Sequence, residues 1–336
     1  MKNKISNNPI RVGVIGSGSW GTAIVKMLAN NLPSVNWWVR NSDTLKSIEL
    51  NKKNPNYLSN VNLDLNKLNL NSDINITINN SDYLVLAVPS AFLVSSLNKI
   101  NTSLDKKIIF SAIKGIVPEK NTTIGSFLNK NFNIPYNNIG VITGPCHAEE
   151  VALKKLSYLT IACPDLKKSK LFASAISCNY INTIASDDIY GTEYSSILKN
   201  IVSIAVGISI GLGYGDNFRS VLVSNAIREI KRFVDAVHPI NRDINESAYL
   251  GDLLVTSYSK FSRNRIFGEF IGRGLSIEES HKKLKMIAEG YFSVKCINKI
   301  NESFSIDMPI TNAVYNILYN KKSVKNEIQH LSELMS

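Results

Sequence analysis

Cysteine and histidine are scarce in this 336-residue chain, with four of each. Cys146, Cys163, Cys178 and Cys296 are scattered, and neither a C-x-x-C pair nor a histidine at zinc-ligand spacing accompanies them. That absence excludes a disulfide framework and a recognisable metal site, so the cysteines read as small core residues. A long uninterrupted apolar run is also missing. The most apolar stretch, 197–212, is broken by Lys199 and Asn200 and is shorter than the roughly 20 residues a membrane helix needs. It reads as a buried helix. No separate apolar segment with a cleavage site precedes the first strand, so a cytoplasmic protein is expected.

Acidic residues are outnumbered, 27 Asp and Glu against 38 Lys and Arg, for a formal charge of +11. The lysines are dispersed among asparagines, as in "NKKNPNYLSNVNLDLNKLNLNSDINITINN", and form no basic stripe. A charge of this size suits nucleic acid, an anionic membrane surface or acidic small molecules alike. Dispersed as it is, it looks more like an A/T-rich coding bias, and no nucleic-acid motif accompanies it.

With 44% hydrophobic residues, the chain can build two cores. Short β-rich runs at 12–15, 36–39, 83–88, 108–112, 140–143 and 158–162 alternate with helical segments. This is the pattern of an N-terminal Rossmann-like, mainly parallel sheet covered by helices. From about residue 190 helical periodicity takes over at 190–212, 219–237, 262–272, 276–288 and 309–320. The fold class is α/β with an all-helical C-terminal domain. The boundary falls near 186–188, giving a nucleotide-binding domain over 1–187 and a helical domain over 188–336.

The loop "GVIGSGSWG" places Gly16, Gly18 and Gly21 as G-x-G-x-x-G between a strand and an amphipathic helix. The spacing permits a tight turn, close approach of a pyrophosphate and tight helix–strand packing, with helix-end N–H groups facing the phosphates. An ordinary βα turn has less reason to clear all three side chains. The second strand, "NWWVRN", lacks the acidic residue that usually binds an adenosine ribose; Arg40 stands there instead. A guanidinium can stack on adenine or meet a 2′-phosphate, so NAD and NADP both stay open.

Lys199 lies in "SSILKNIVSIAVGISIGLG", a strongly apolar helix, with Asn200 beside it and Ser203 one turn on. A lysine there must snorkel or face a polar cavity, where desolvation and nearby charge can tune it for proton transfer. "SRNR" opens a helix with Ser262 as a candidate N-cap, leaving Arg263 and Asn264 where free N–H groups welcome a phosphate. Lys114 follows a strand and precedes Gly115, as a site lysine would. In "GPCHAEE", Cys146 and His147 are neighbours in sequence and so point in different directions. Gly144 and Pro145 read better as a turn exposing backbone donors than the pair does as a nucleophile and base.

Taken together, "GSGSWGTA", "VPS", "KGI", "GPCHAEEVA", "LKNIVSIAVGISIGLGYGDN", "GDLLVTSYSKFSRNRIFG", "EGY" and "MPI" resemble the bacterial-type NAD(P)-dependent glycerol-3-phosphate dehydrogenases over roughly residues 10 to 320. The resemblance implies reversible hydride transfer between NAD(P)H and dihydroxyacetone phosphate, giving sn-glycerol 3-phosphate for phospholipid synthesis, in a homodimer. It makes Lys199 the catalytic acid/base, held and polarised by Asp252. It assigns substrate contacts to Lys114, Gly144, Cys146, Lys199, Asn200, Asp252, Thr256, Ser262, Arg263 and Asn264. Cofactor contacts fall, beside the glycines, on Ser19, Trp20, Arg40, Lys114, Ala148, Arg263 and Glu289. Cys146 replaces the usual Ser or Thr, His147 the usual Phe, and Tyr249 a glycine, while "LVSNAI" stands where Thr-Arg-Gly is usual. A different Rossmann reductase, or a nucleotide sensor without chemistry, are the competing readings; intact Lys199 and Asp252 argue against the second.

Overall fold

The computed structural model describes residues 10–284 and 287–336. Its backbone divides into two compact units, one running to Ile113 and resuming over Ile124–Ile189, the other comprising Lys114–Thr123 and Tyr190–Ser336. The segment 114–123 thus belongs with the helical unit, although the chain that carries it lies inside the expected nucleotide-binding domain.

The first unit holds strands β1 (Val12–Ile15), β2 (Val35–Trp38), β3 (Leu68–Asn71), β4 (Tyr83–Leu86) and β5 (Ile108–Ser111). The short hairpin β6 (Ile116–Val117) and β7 (Thr122–Thr123) belongs to the second unit. The first unit then continues with β8 (Ile139–Thr143), β9 (Ser157–Ala162) and β10 (Ile181–Ser186). Its helices are α1 (Ser19–Leu28), α2 (Ser42–Asn51), α3 (Ile74–Asn79), α4 (Leu93–Leu97), α5 (Ile124–Phe132), α6 (Ala148–Ala152) and α7 (Leu166–Ile176).

Eight strands form one sheet in the order β10-β9-β8-β5-β4-β1-β2-β3, with every pair parallel except β8–β9. Near-continuous apolar runs such as "VGVI" and "YLVL" suit strands covered on both faces. Asn36 is the exception inside β2. It is buried, but its amide donates to Asn80 O and Ser81 Oγ and it accepts from Asn69, so the polar group is satisfied. Phe110 and Phe172 stack with ring centroids 4.4 Å apart in the core, with Tyr83 beside them. Truncating Phe110 to alanine there costs about 3–5 kcal/mol. Because β1 lies between β2 and β4, the chain reverses its direction of sheet-building there, and the carboxyl end of β1 is the switch point where a nucleotide binds in such sheets.

The second unit packs α8 (Ile189–Gly211), α9 (Asp216–Val237), α10 (Asp252–Tyr258), α11 (Arg263–Gly272), α12 (Ile277–Leu284), α13 (Glu289–Asn301), α14 (Pro309–Leu318) and α15 (Val324–Leu334). Its core includes Phe233, Phe267, Leu222 and Ile230, with Ile116 of the hairpin. Helix α8 matches the expected 190–212 to one residue at each end. It is long and apolar enough to cross a bilayer, with 83% of its most apolar 18-residue window buried inside the protein. Helix α12 is described from Ile277 to Leu284; residues 285–286 of the expected helix lie outside the described residues, 287–288 are not helical, and α13 begins separately at Glu289.

Helices α8 and α11 touch backbone to backbone. A Cβ on Gly268 or Gly272 would meet the carbonyl oxygens of Ile204 or Ile208, and one on Gly207 or Gly211 those of Arg265 or Glu269. Four glycines, spaced i,i+4 on each helix, fix how near Arg263 and Asn264 come to the helix that carries Lys199.

Candidate active site

In the first unit the glycine loop turns at Gly16, whose φ of +122° disfavours a side chain. A Cβ on Gly21 would collide with Gly16 O, so that residue is set by packing. Gly18 is different. An added Cβ there meets nothing within 4 Å. Protein packing therefore does not explain the missing side chain, whereas an anion lying against the loop does. Gly18 also stands at the N-cap of α1 without a side-chain acceptor for the first-turn N–H groups. The indole N–H of Trp20 is buried with no hydrogen-bond partner among the described residues. These features fit a dinucleotide diphosphate.

Two residues that sequence reasoning passed over hold this loop. The buried Trp37 donates its indole N–H to Gly16 O at 2.9 Å, and buried Asn54 donates to Ser17 O and Thr22 Oγ1, both at 2.9 Å. An indole N–H in an otherwise apolar strand signals a partner for Trp37; nothing in the sequence marks Asn54.

Arg40 is exposed just beyond β2, where it lines a cavity of about 280 Å³ with Trp38, Ser72, Asp73, Ile74 and Lys99. Gly144 and Cys146 follow β8, and Ala148 is buried at the start of α6; all three lie in the first unit with Ser19 and Trp20.

Lys114, Lys199, Asn200, Asp252, Thr256, Ser262, Arg263, Asn264 and Glu289 lie in the second unit, where several converge on one carboxylate. Asp252 stands where a π-helical turn, Ser247–Gly251, passes into α10, and its side chain is 1% exposed. Such irregular turns often occur at functional sites. Tyr249 is buried inside that turn. Asp252 Oδ1 lies 2.5 Å from Lys199 Nζ. Its two oxygens also accept from Lys114 Nζ, at 3.4 and 3.1 Å. Lys199 donates in addition to Thr256 Oγ1 at 2.8 Å, one turn along α10. Asn200 fixes the other lysine by donating to the Lys114 carbonyl at 2.7 Å. The segment 114–123 is therefore tied to the helical unit at the residue where it begins.

The electrostatics follow from burial. Desolvation lowers the Lys199 ammonium to about 7, with the attraction of Asp252 raising it and the neighbouring charge of Lys114 lowering it. Burial pushes Asp252 up, but Lys114 and Lys199 outweigh it and hold the carboxyl below its usual range. An ammonium has three donors. Asp252 and Thr256 take two of those on Lys199; the other group against it is Lys114, itself a donor, so the third has no acceptor among the described residues.

Helix α11 opens with Ser262, whose hydroxyl accepts from Arg265 N, as an N-cap should. Arg263 is half-buried and makes no ion pair among the described residues. Asn264 is buried and commits its oxygen to Gly290 N at 2.9 Å, joining the start of α11 to the start of α13, where Glu289 lies.

Comparison with known proteins gives one direction. Residues 11–169 match the family model for the NAD-dependent glycerol-3-phosphate dehydrogenase N-terminus, and residues 188–329 that for the C-terminus. The chain is 31% identical to glycerol-3-phosphate dehydrogenase [NAD(P)+] of Staphylococcus carnosus, over 96% of this chain and 97% of that protein. Among solved structures it is similar to a glycerol-3-phosphate dehydrogenase of Coxiella burnetii, with a TM-score of 0.87, 26% identity and coverage of 97% and 99% of the two chains. The glycerol-3-phosphate dehydrogenase of Saccharomyces cerevisiae gives a TM-score of 0.83 at 27% identity, covering 96% and 99%.

Proposed function

We propose that this chain, which belongs to the NAD-dependent glycerol-3-phosphate dehydrogenase family, interconverts dihydroxyacetone phosphate and glycerol 3-phosphate with NAD or NADP as cofactor. Gly16, Gly18, Ser19, Trp20 and Gly21 of the first unit would hold the dinucleotide, and Arg40 would contact it as well. A nicotinamide bound there would supply the hydride for reduction of the ketone carbon and take one up in oxidation of the C2 carbon. All other steps belong to side chains of this protein.

The observation that carries the reading is the uncommitted third donor of Lys199. Asp252 and Thr256 fix the ammonium by two hydrogen bonds, so the remaining N–H is held in one direction. In reduction it gives its proton to the ketone oxygen as the C2–H bond forms. In oxidation the neutral amine accepts the C2 hydroxyl proton through its lone pair. Because its pKa is about 7, Lys199 populates both forms near neutral pH, as an acid/base serving both directions requires. Asp252 stays ionised throughout, since Lys114 neutralises it when Lys199 is uncharged.

The phosphate of the substrate is assigned to the start of α11. Arg263 offers a planar fork there, and the first-turn N–H groups add the positive end of the helix dipole. Lys114, Asn200, Thr256, Ser262 and Asn264 complete this part of the site; Gly144, Cys146, Ala148 and Glu289 are assigned from the family resemblance. The absence of a hydroxyl on Cys146 leaves backbone donors as the contribution of that loop. We place the enzyme in the cytoplasm as a homodimer that binds a three-carbon phosphate and no nucleic acid.

The test is the fall of NADH or NADPH absorbance on adding dihydroxyacetone phosphate. Lys199→Ala should lower turnover by about 100- to 10,000-fold while the reduced cofactor still binds. Retention of most of the activity would remove Lys199 from the mechanism. An inactive wild-type protein would overturn the assigned reaction.

A further inference from the structure

A buried hydroxyl outside the residues assigned to substrate or cofactor joins the two ends of the substrate site. Ser203 lies one turn beyond Lys199 on the same face of α8 and is fully buried. Its Oγ is 3.0 Å from Thr256 O and 2.8 Å from Ser262 Oγ. Thr256 O is one of the last carbonyls of α10, which lack a partner within their own helix. Ser262 is the N-cap of α11. One side chain on a third helix therefore closes the end of α10 and touches the beginning of α11.

Counting protons fixes the direction of the chain. A carbonyl can only accept, so the single Ser203 proton goes to Thr256 O. Ser262 must then donate to Ser203, and its own oxygen accepts from Arg265 N. The sequence of bonds is Arg265 N–H to Ser262 Oγ–H to Ser203 Oγ–H to the Thr256 carbonyl. Every hydroxyl donates once and no donor is duplicated. At one end of this chain is the helix start that carries Arg263 and Asn264. At the other is Thr256, whose own hydroxyl receives Lys199.

We propose that Ser203 is a positioning residue that keeps the phosphate-holding start of α11 in register with the proton-transferring Lys199. Alanine at 203 would leave the Thr256 carbonyl and the Ser262 hydroxyl short of a partner in a buried site. Either can then turn away. A substrate anchored by its phosphate would arrive at Lys199 out of alignment, and misplacement on the ångström scale is costly to a reaction that depends on orientation. A substrate without a phosphate has no anchor on α11 to lose.

The inference rests on the reaction proposed above, and the experiment separates the two. Wild type, Ser203→Ala, Ser262→Ala, the double variant and Ser203→Thr are assayed with dihydroxyacetone phosphate and with unphosphorylated dihydroxyacetone, beside thermal unfolding of each. Ser203→Ala should lower kcat/KM roughly tenfold for the phosphorylated ketone and less than about twofold for the unphosphorylated one. Ser262→Ala also removes the N-cap of α11 and should lose more than Ser203→Ala, but the double variant should lose about as much as Ser262→Ala alone, because a single chain is broken once. Ser203→Thr, which keeps the hydroxyl, should recover most of the loss. An equal loss with both ketones, full additivity of the two alanines, or unchanged kinetics in Ser203→Ala would each overturn the positioning role. A wild type that reduces neither ketone would overturn the reaction and this inference with it, whereas an active wild type beside an unimpaired Ser203→Ala defeats the inference alone.

Discussion

Lys114 and Asp252 are joined by both carboxylate oxygens of the aspartate, at 3.4 and 3.1 Å, although 138 residues separate them in sequence. The excursion of residues 114–123 into the helical unit makes the pair possible. Its consequence is electrostatic. A second cation on the carboxylate that Lys199 already uses weakens the hold of that carboxylate on the Lys199 proton, and its own charge repels the ammonium.

The pH dependence has opposite signs in the two directions. On the proposed mechanism reduction needs the Lys199 ammonium, so kcat should fall as pH rises through about 7, while oxidation needs the neutral amine and should rise over the same interval. Lys114→Met removes a cation that lowers the Lys199 pKa, so both limbs should move to higher pH. The measurement is kcat against pH at saturating substrate in each direction. Limbs that stay in place in Lys114→Met would show that Lys114 does not tune the proton donor.

The reciprocal contact of α8 and α11 should be intolerant of a single methyl group. A Cβ at Gly268 would lie 2.1 Å from the Ile204 carbonyl oxygen, and neither backbone can yield without moving a helix. Gly268→Ala should therefore cost about 1–3 kcal/mol or more in stability. It should also lower kcat/KM, because α11 carries Arg263 and α8 carries Lys199. Gly215→Ser is the control: a Cβ there meets nothing within 4 Å, and serine suits the N-cap of α9. Chemical denaturation compares the two, and equal midpoints would refute the close-packing argument.

What could be read from the sequence depended on how local each signal was. The glycine loop, the apolar strands β1, β4, β5 and β8, and Ser262 as an N-cap announce themselves within a few residues. Strand β3, "LNLN", does not. Asparagine disfavours strands, and this one forms at the sheet edge because β2 offers it a register. No strand is expected over 181–186, just before the boundary, yet β10 pairs with β9 over six residues. The carboxylate shared by Lys114 and Lys199 depends on contacts across 138 and 53 residues, which periodicity cannot supply. The family resemblance named both lysines and Asp252, but their common hydrogen bonds and the Ser203 chain came from the fold. Ser203 carried one faint sign, a polar residue at i+4 from Lys199 on the same helix face.

On the proposed assignment, cofactor preference turns on Arg40. The carboxyl end of β2 lacks the acidic side chain that accepts from a ribose 2′-hydroxyl, and it offers an exposed guanidinium beside a cavity also lined by Lys99. Arg40→Glu reverses the local charge. A carboxylate there would accept from the 2′-hydroxyl of NADH but repel the 2′-phosphate of NADPH, so the ratio of the two dissociation constants should shift toward NADH. Arg40→Lys keeps the charge and loses the planar fork, and should fall between wild type and Arg40→Glu. Fluorescence titration of each reduced cofactor gives both constants without turnover, so the result does not depend on Lys199 or on the substrate. If Arg40→Glu weakens NADH and NADPH by the same factor, Arg40 contacts a part of the dinucleotide that the two share, such as the adenine ring. If neither constant moves, the side chain points to solvent when the cofactor is bound, and the 2′ position is read elsewhere.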